Sequence, residues 1–125
     1  MRIGVPKEIK VHEYRVGLTP TSVREVVAHG HKVLVETGAG AGIGMEDADY
    51  TRAGAEIAPD AKTVFAQSDM IVKVKEPQAA ERKMLREGQV LFTYLHLAPD
   101  PEQTKDLVAS KATCIAYETV TSPTG

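Results

Sequence analysis

Arg15, Lys75 and His96 are the side chains of this sequence best suited to hold and work on a small acid, and each falls just past the carboxyl end of a predicted strand. A guanidinium grips a carboxylate through two parallel hydrogen bonds, and an ammonium adds a compact point charge. An imidazole titrates close enough to neutrality to exchange a proton with a carbonyl or carbinolamine oxygen. In an open parallel sheet the loops leaving the carboxyl edge converge on a crevice, so residues far apart in the chain can meet over one ligand. Two fixed cations and one titratable ring suit a small carboxylate.

Each residue also has an ordinary reading. In the segment from Met70 to Pro77, period-two alternation puts Lys73 and Lys75 on one strand face and Val72 and Val74 on the other. An unpaired buried ammonium is costly, so these lysines must reach solvent at the strand end, pair with an acid such as Glu76, or meet a ligand anion. His96 follows Tyr94 on the same face among apolar neighbours, where a satisfied structural histidine is the commoner occupant. Arg15 lies in a polar connection and could be an exposed loop arginine.

Other candidates are weaker. The run from Gly38 to Gly44 follows a strand and invites a dinucleotide reading, but the third glycine of that fingerprint falls on Ile43. Its glycines are better read as permitting a tight turn with positive backbone angles. His29 and His31 flank Gly30 at a helix end without the further ligands a metal site needs, so no metal is expected. Cys114 is the only cysteine, which excludes an internal disulfide, and its apolar setting reads as packing.

The elements that must position these residues alternate. A strand from Arg2 to Pro6 leads through a polar connection to a helix capped by Thr19, begun by Pro20 and ended at Gly30, and Lys32 to Glu36 forms the second strand. Helical signals follow over Glu46 to Ala53, closed by Gly54, and after Asp60 through Phe65 and Ala66. Met70 to Val74 is the next strand, then come a helix carrying Met84 and Leu85, a stop at Gly88, and a strand from Val90 to Leu95. Asp100, Pro101 and Gln103 announce a helix through Leu107 and Val108, with Gln103 as a near capping-box partner, before a fifth strand from Thr113 to Tyr117. This alternation predicts an α/β fold: a mostly parallel sheet flanked by helices in three layers, flavodoxin- or Rossmann-like.

The chain has 125 residues, 42% hydrophobic and 26% charged, enough for one compact core. A formal charge of -2 with interspersed signs argues against a general affinity for nucleic acid or anionic membranes. Neither a signal-peptide segment nor a membrane-spanning run is visible, and a cytoplasmic location is the expectation. The composition of Ser122 to Gly125 suits a linker, so the sheet and the site are expected to be completed by further residues.

Three segments together carry a family resemblance. Gly4 to Glu8, running on through Glu13-Tyr14-Arg15-Val16 to Thr19-Pro20, then Lys73-Val74-Lys75-Glu76-Pro77, then Leu95-His96-Leu97, closely resemble the amino-terminal part of alanine dehydrogenase, in register across nearly the whole chain. The first segment is shared with the NAD(H)-binding subunit of proton-translocating transhydrogenases, and the lysine and histidine segments favour the dehydrogenase. Val11-His12 and Gly17 depart from the usual pattern, which has a polar, often asparagine-rich pair and an alanine there.

The resemblance implies that Arg15 and Lys75 hold the carboxylate of L-alanine or pyruvate and that His96 is the acid/base at the oxygen during carbinolamine formation and breakdown. It implies hydride transfer to NAD, with release of ammonia. It also implies that residues 1–125 are the amino-terminal part of the substrate domain, inactive alone, with NAD held mainly by a second, Rossmann domain absent here. A homo-oligomer, commonly a hexamer in the family, is implied too. Two rivals stay open: a transhydrogenase subunit, and a non-catalytic module for small carboxylates.

Overall fold

The computed structural model describes residues 1–119 and 121–123. Six parallel strands form one sheet: β1 (Arg2–Val5), β2 (Lys32–Glu36), β3 (Glu56–Ala58), β4 (Met70–Val72), β5 (Val90–Thr93) and β6 (Thr113–Ala116), in the spatial order β3-β2-β1-β4-β5-β6. The helices between them are α1 (Pro20–Ala28), α2 (Asp47–Arg52), α3 (Ala61–Gln67), α4 (Ala79–Arg82) and α5 (Pro101–Ser110). The order reverses between β1 and β4, so the loops leaving those two strands flank the crevice where doubly wound folds bind ligands.

Both sheet faces are covered, as near-continuous apolar strands require. Along β2, Val33 and Val35 join Val5, Val23 and Tyr50 in one core layer, whereas Leu34 points to the other with Val64, Phe65, Ile71, Leu91 and Leu107. Valine and isoleucine suit such strands because their branched side chains pack well on a pleated surface.

The capping signals act locally. The Thr19 hydroxyl accepts the Ser22 N–H, and the Asp60 and Asp100 carboxylates accept those of Thr63 and Gln103. Gly30, Gly54 and Gly88 all take positive φ where they close a helix or turn.

Five elements differ from expectation. β3 was not foreseen: it is only three residues long, Glu56 and Ala58 disfavour strands on either side of Ile57, and it is held by pairing with β2, Leu34 opposite Glu56 through Glu36 opposite Ala58. β4 ends at Val72 rather than Val74, and β5 at Thr93 rather than Leu95, although Lys73 N–H still donates to Phe92 and Tyr94 N–H to Val74. α4 stops before Met84 and Leu85, which lie in the following turn, where Leu85 is buried against the second core layer. β6 gives way at Tyr117 to a 3-10 turn, Tyr117–Thr119. Thr124 and Gly125 of the expected linker lie outside the described residues, as does Val120.

Candidate functional site

The loop after β1 carries Arg15, and it is seated by close backbone approaches. A side chain on Gly17 would come within 2.4 Å of the Val72 carbonyl at the end of β4, so an alanine there would require the loop to stand back. A side chain on Gly42 would meet the Tyr14 carbonyl at 2.3 Å. The Tyr50 hydroxyl donates to the Leu18 carbonyl at 2.8 Å, fixing the loop's far end. On this seat Arg15 forks onto Glu13: Nε donates to Oε2 at 2.9 Å and Nη2 to Oε1 at 2.8 Å, while the Arg15 backbone N–H also reaches Oε2 at 2.9 Å. These bonds hold the Glu13 carboxyl down to about 2, assisted by the charges of Arg15 and Lys75 and opposed by burial.

Lys73 and Lys75 separate at the end of β4. The Lys73 ammonium is buried between two buried carboxylates, 3.2 Å from Glu8 and 3.0 Å from Glu81, so it is a structural cation. Burial pushes the Glu81 carboxyl up, and the Lys73 charge works against that. Glu8 also accepts the backbone N–H groups of Val74 and Lys75, each at 3.1 Å, and the Thr93 hydroxyl donates to the Lys75 carbonyl at 2.9 Å. The backbone under Lys75 is thus held by the loop after β1 and by β5 while its side chain stays half-exposed. Glu76 pairs with Lys10, which removes it as the partner expected for the neighbouring lysines.

His96 sits just beyond β5 in a left-handed conformation, φ 48°, uncommon for a residue with a side chain. Glu118 stabilises it by accepting the backbone N–H of His96 at 3.1 Å and that of Leu95 at 3.2 Å. The His96 N–H bond is the main reason the Glu118 carboxyl lies below the usual range. Gln103 is buried in α5 and donates to the Leu95 carbonyl at 2.7 Å, so it ties helix to strand end and does not complete the capping box. The Tyr94 ring stacks near His96, centroids 6.4 Å apart, and meets Tyr117 edge-on at 4.9 Å.

Lys75 and His96 line one cleft of about 450 Å³, together with Lys10, Glu76, Pro99 and Asp100. Arg15 lines two adjoining hollows at the same sheet edge, one with Glu13 and the glycine-rich turn and one with Val74, Tyr94 and Tyr117. Two of the three predicted residues therefore share a cleft, and the third lines separate hollows. Glu13, which feels both cations, and Tyr94, which borders Arg15 and stacks near His96, connect them. Sequence reading assigned Glu8, Glu13 and Glu118 no role of their own, and Gln103 only that of a near capping-box partner. Only Glu13, two residues before an arginine, left a local signal.

The glycine-rich turn does not fit a dinucleotide phosphate. Gly38 and Gly44 take positive φ, as a tight turn requires, and the directions a side chain would take from Gly40 and Gly42 are filled by Tyr50, Met45 and Tyr14. His29 Nδ1 lies 2.9 Å from the Glu25 carbonyl of its own helix, and burial pushes the Cys114 thiol up, away from thiolate reactivity. Among the described residues, no helix is long and apolar enough to cross a membrane.

A doubly wound α/β domain with cationic side chains and a histidine along the carboxyl edge of its sheet belongs to a class of parallel-sheet domains in which ligands, where bound, sit outside the carboxyl ends of the strands. The family model "Alanine dehydrogenase/PNT, N-terminal domain" matches residues 4–125, and the chain belongs to that family. It is 55% identical over 125 residues to an alanine dehydrogenase of Halomonas elongata, all of this chain and 34% of the relative. It is 57% identical over 120 residues to one of Methanococcus maripaludis, 96% of this chain and 32% of the relative. The chain thus spans about a third of the length of the curated relatives it matches.

Among solved structures, an L-alanine dehydrogenase superposes with TM-score 0.96 at 53% identity, covering 99% of this chain and 34% of that one. A transhydrogenase from Sinorhizobium meliloti superposes with TM-score 0.88 at 30% identity, covering 94% of this chain and 35% of that one.

Proposed function

We propose that residues 1–125 are the amino-terminal part of the substrate domain of an NAD-dependent alanine dehydrogenase, which converts L-alanine to pyruvate and ammonia reversibly. The observation that carries this reading is the shared cleft of Lys75 and His96, with Arg15 on the adjoining rim already gripping a carboxylate. Arg15 and Lys75 orient the substrate carboxylate by charge and by the planar fork. His96 exchanges a proton with the oxygen of the carbinolamine or carbonyl. Orientation and proton management are the contributions a protein makes to such chemistry.

The described residues offer no phosphate cradle, so we place the NAD site outside this chain and assign no hydride-transfer role to its residues. By the same reading these residues alone do not turn over. The working protein is an oligomer, a hexamer by family likeness, located in the cytoplasm.

The test uses the full-length protein. Lys75→Ala should raise the KM for L-alanine, and His96→Ala should lower kcat by roughly 10²–10⁴-fold, the usual worth of a positioned acid/base. Wild-type rates in both variants would return these residues to structural roles.

The transhydrogenase superposition supports a second reading, a subunit that passes hydride between nucleotides. Such a subunit has no need of a small-acid clamp. Saturable pyruvate binding that depends on Arg15 and Lys75 favours the dehydrogenase, and its absence favours the transhydrogenase.

A further inference from the structure

We propose that Glu13 holds the seat of the substrate's carboxylate in the unliganded domain and is exchanged for it on binding, so that Glu13 sets how tightly small carboxylates are held. The inference rests on the reading of Arg15 and Lys75 as the carboxylate clamp.

The geometry is that of a ligand already in place. One carboxylate occupies the guanidinium fork with both oxygens, at 2.9 and 2.8 Å, and its Oε2 also takes the Arg15 backbone N–H. The partners are unequally exposed: the Glu13 side chain retains 5% of its accessible surface and Arg15 60%. Both side chains border the same hollow, the carboxylate as the more enclosed partner and within the field of Lys75, the guanidinium as the more exposed one. An incoming carboxylate that needs the same two donors beside the same ammonium must take this position.

The backbone permits the exchange. Glu13 lies in the irregular connection between β1 and α1, anchored by its N–H to the Lys10 carbonyl at 3.0 Å and preceded by His12 at φ 65°. Its side chain can turn to solvent without breaking a strand or helix bond. Exchange trades one charge-assisted fork for another, so the internal acid acts as a competitor built into the site.

The test measures pyruvate binding to the full-length protein by calorimetry. Glu13→Gln, which keeps the shape and removes the charge, should tighten pyruvate by about tenfold, because a charged hydrogen-bonded competitor is lost. Arg15→Gln should abolish binding. Unchanged or weaker binding in Glu13→Gln, with Arg15→Gln still inactive in binding, would overturn the exchange and make Glu13 an orienting partner of an intact clamp. Pyruvate binding that survives Arg15→Gln would remove the clamp and the exchange with it. A crystal structure of the wild-type protein with pyruvate needs no variant to fold: Glu13 outside the fork supports the proposal, and Glu13 still inside it defeats it.

Discussion

Glu118 accepts the backbone N–H of His96 at 3.1 Å across 22 positions of the chain, joining the turn after β6 to the turn after β5. The imidazole is thus aimed through its own backbone. A left-handed backbone at a non-glycine residue persists only where its surroundings hold it, and here the carboxylate of Glu118 and the amide of Gln103 bracket residues 95 and 96.

From this bracket comes a first expectation. In the full-length protein Glu118→Ala should cost roughly 1–3 kcal/mol of stability through lost charged hydrogen bonds. It should also lower kcat by up to about 10²-fold, because small displacements of a proton-transfer group are expensive. Urea titration and steady-state kinetics with L-alanine would show both. Unchanged kcat with lowered stability would confine Glu118 to the fold.

Lys73 supports a prediction of another kind. Lys73→Met leaves Glu8 and Glu81 buried without their cation, and breaking such a site costs roughly 3–5 kcal/mol. Glu81 already lies above the usual carboxylate range, so the variant should recover stability as the pH is lowered and that carboxyl takes up a proton. Denaturant midpoints at two pH values would reveal it. A variant as stable as wild type at neutral pH would show that the triad contributes nothing net.

Glu13 gives a pH window. Its folded pKa, about 2, lies below the ordinary 4.5, so the fold favours the ionised carboxyl. The stability contributed is fully present above about pH 4.5 and is lost as the pH falls towards about 2. Carbon-detected NMR of the Glu13 carboxyl should follow this titration, and Arg15→Gln should move it back towards the ordinary range. A midpoint unmoved by that substitution would mean that the fork does not set it.

Gly42→Ala probes the seat of the Arg15 loop. The added methyl meets the Tyr14 carbonyl at 2.3 Å, and overpacking of this kind costs roughly 1–3 kcal/mol. Pyruvate affinity should weaken along with thermal stability, since Arg15 is the next residue. Intact affinity would show that the loop relaxes without moving its guanidinium.

The alternation of apolar strands and capped helices was legible because those signals are local. Thr19, Asp60 and Asp100 cap from within three residues of their targets, and Val33, Leu34 and Val35 report a strand buried on both faces. β3 was not legible, because Glu56 to Ala58 becomes a strand through its partner. The failed fingerprint at Ile43 was read correctly as a turn, but the reason the turn needs Gly42, the backbone of Tyr14, lies 28 positions away in a different loop.

Residue chemistry and strand periodicity, both written in neighbouring positions, determined that this chain is a layered α/β domain with Lys75 and His96 just past strand ends and Arg15 in the connection after the first strand. Tertiary structure decided which lysine is structural, because only folding places Glu8 and Glu81 3.2 and 3.0 Å from Lys73 and leaves Lys75 facing the cleft. It also decided that Arg15 waits with a carboxylate already in its fork and that Glu118 holds His96. Charge pairing in a buried space depends on distances through space, and spacing along the chain does not encode them.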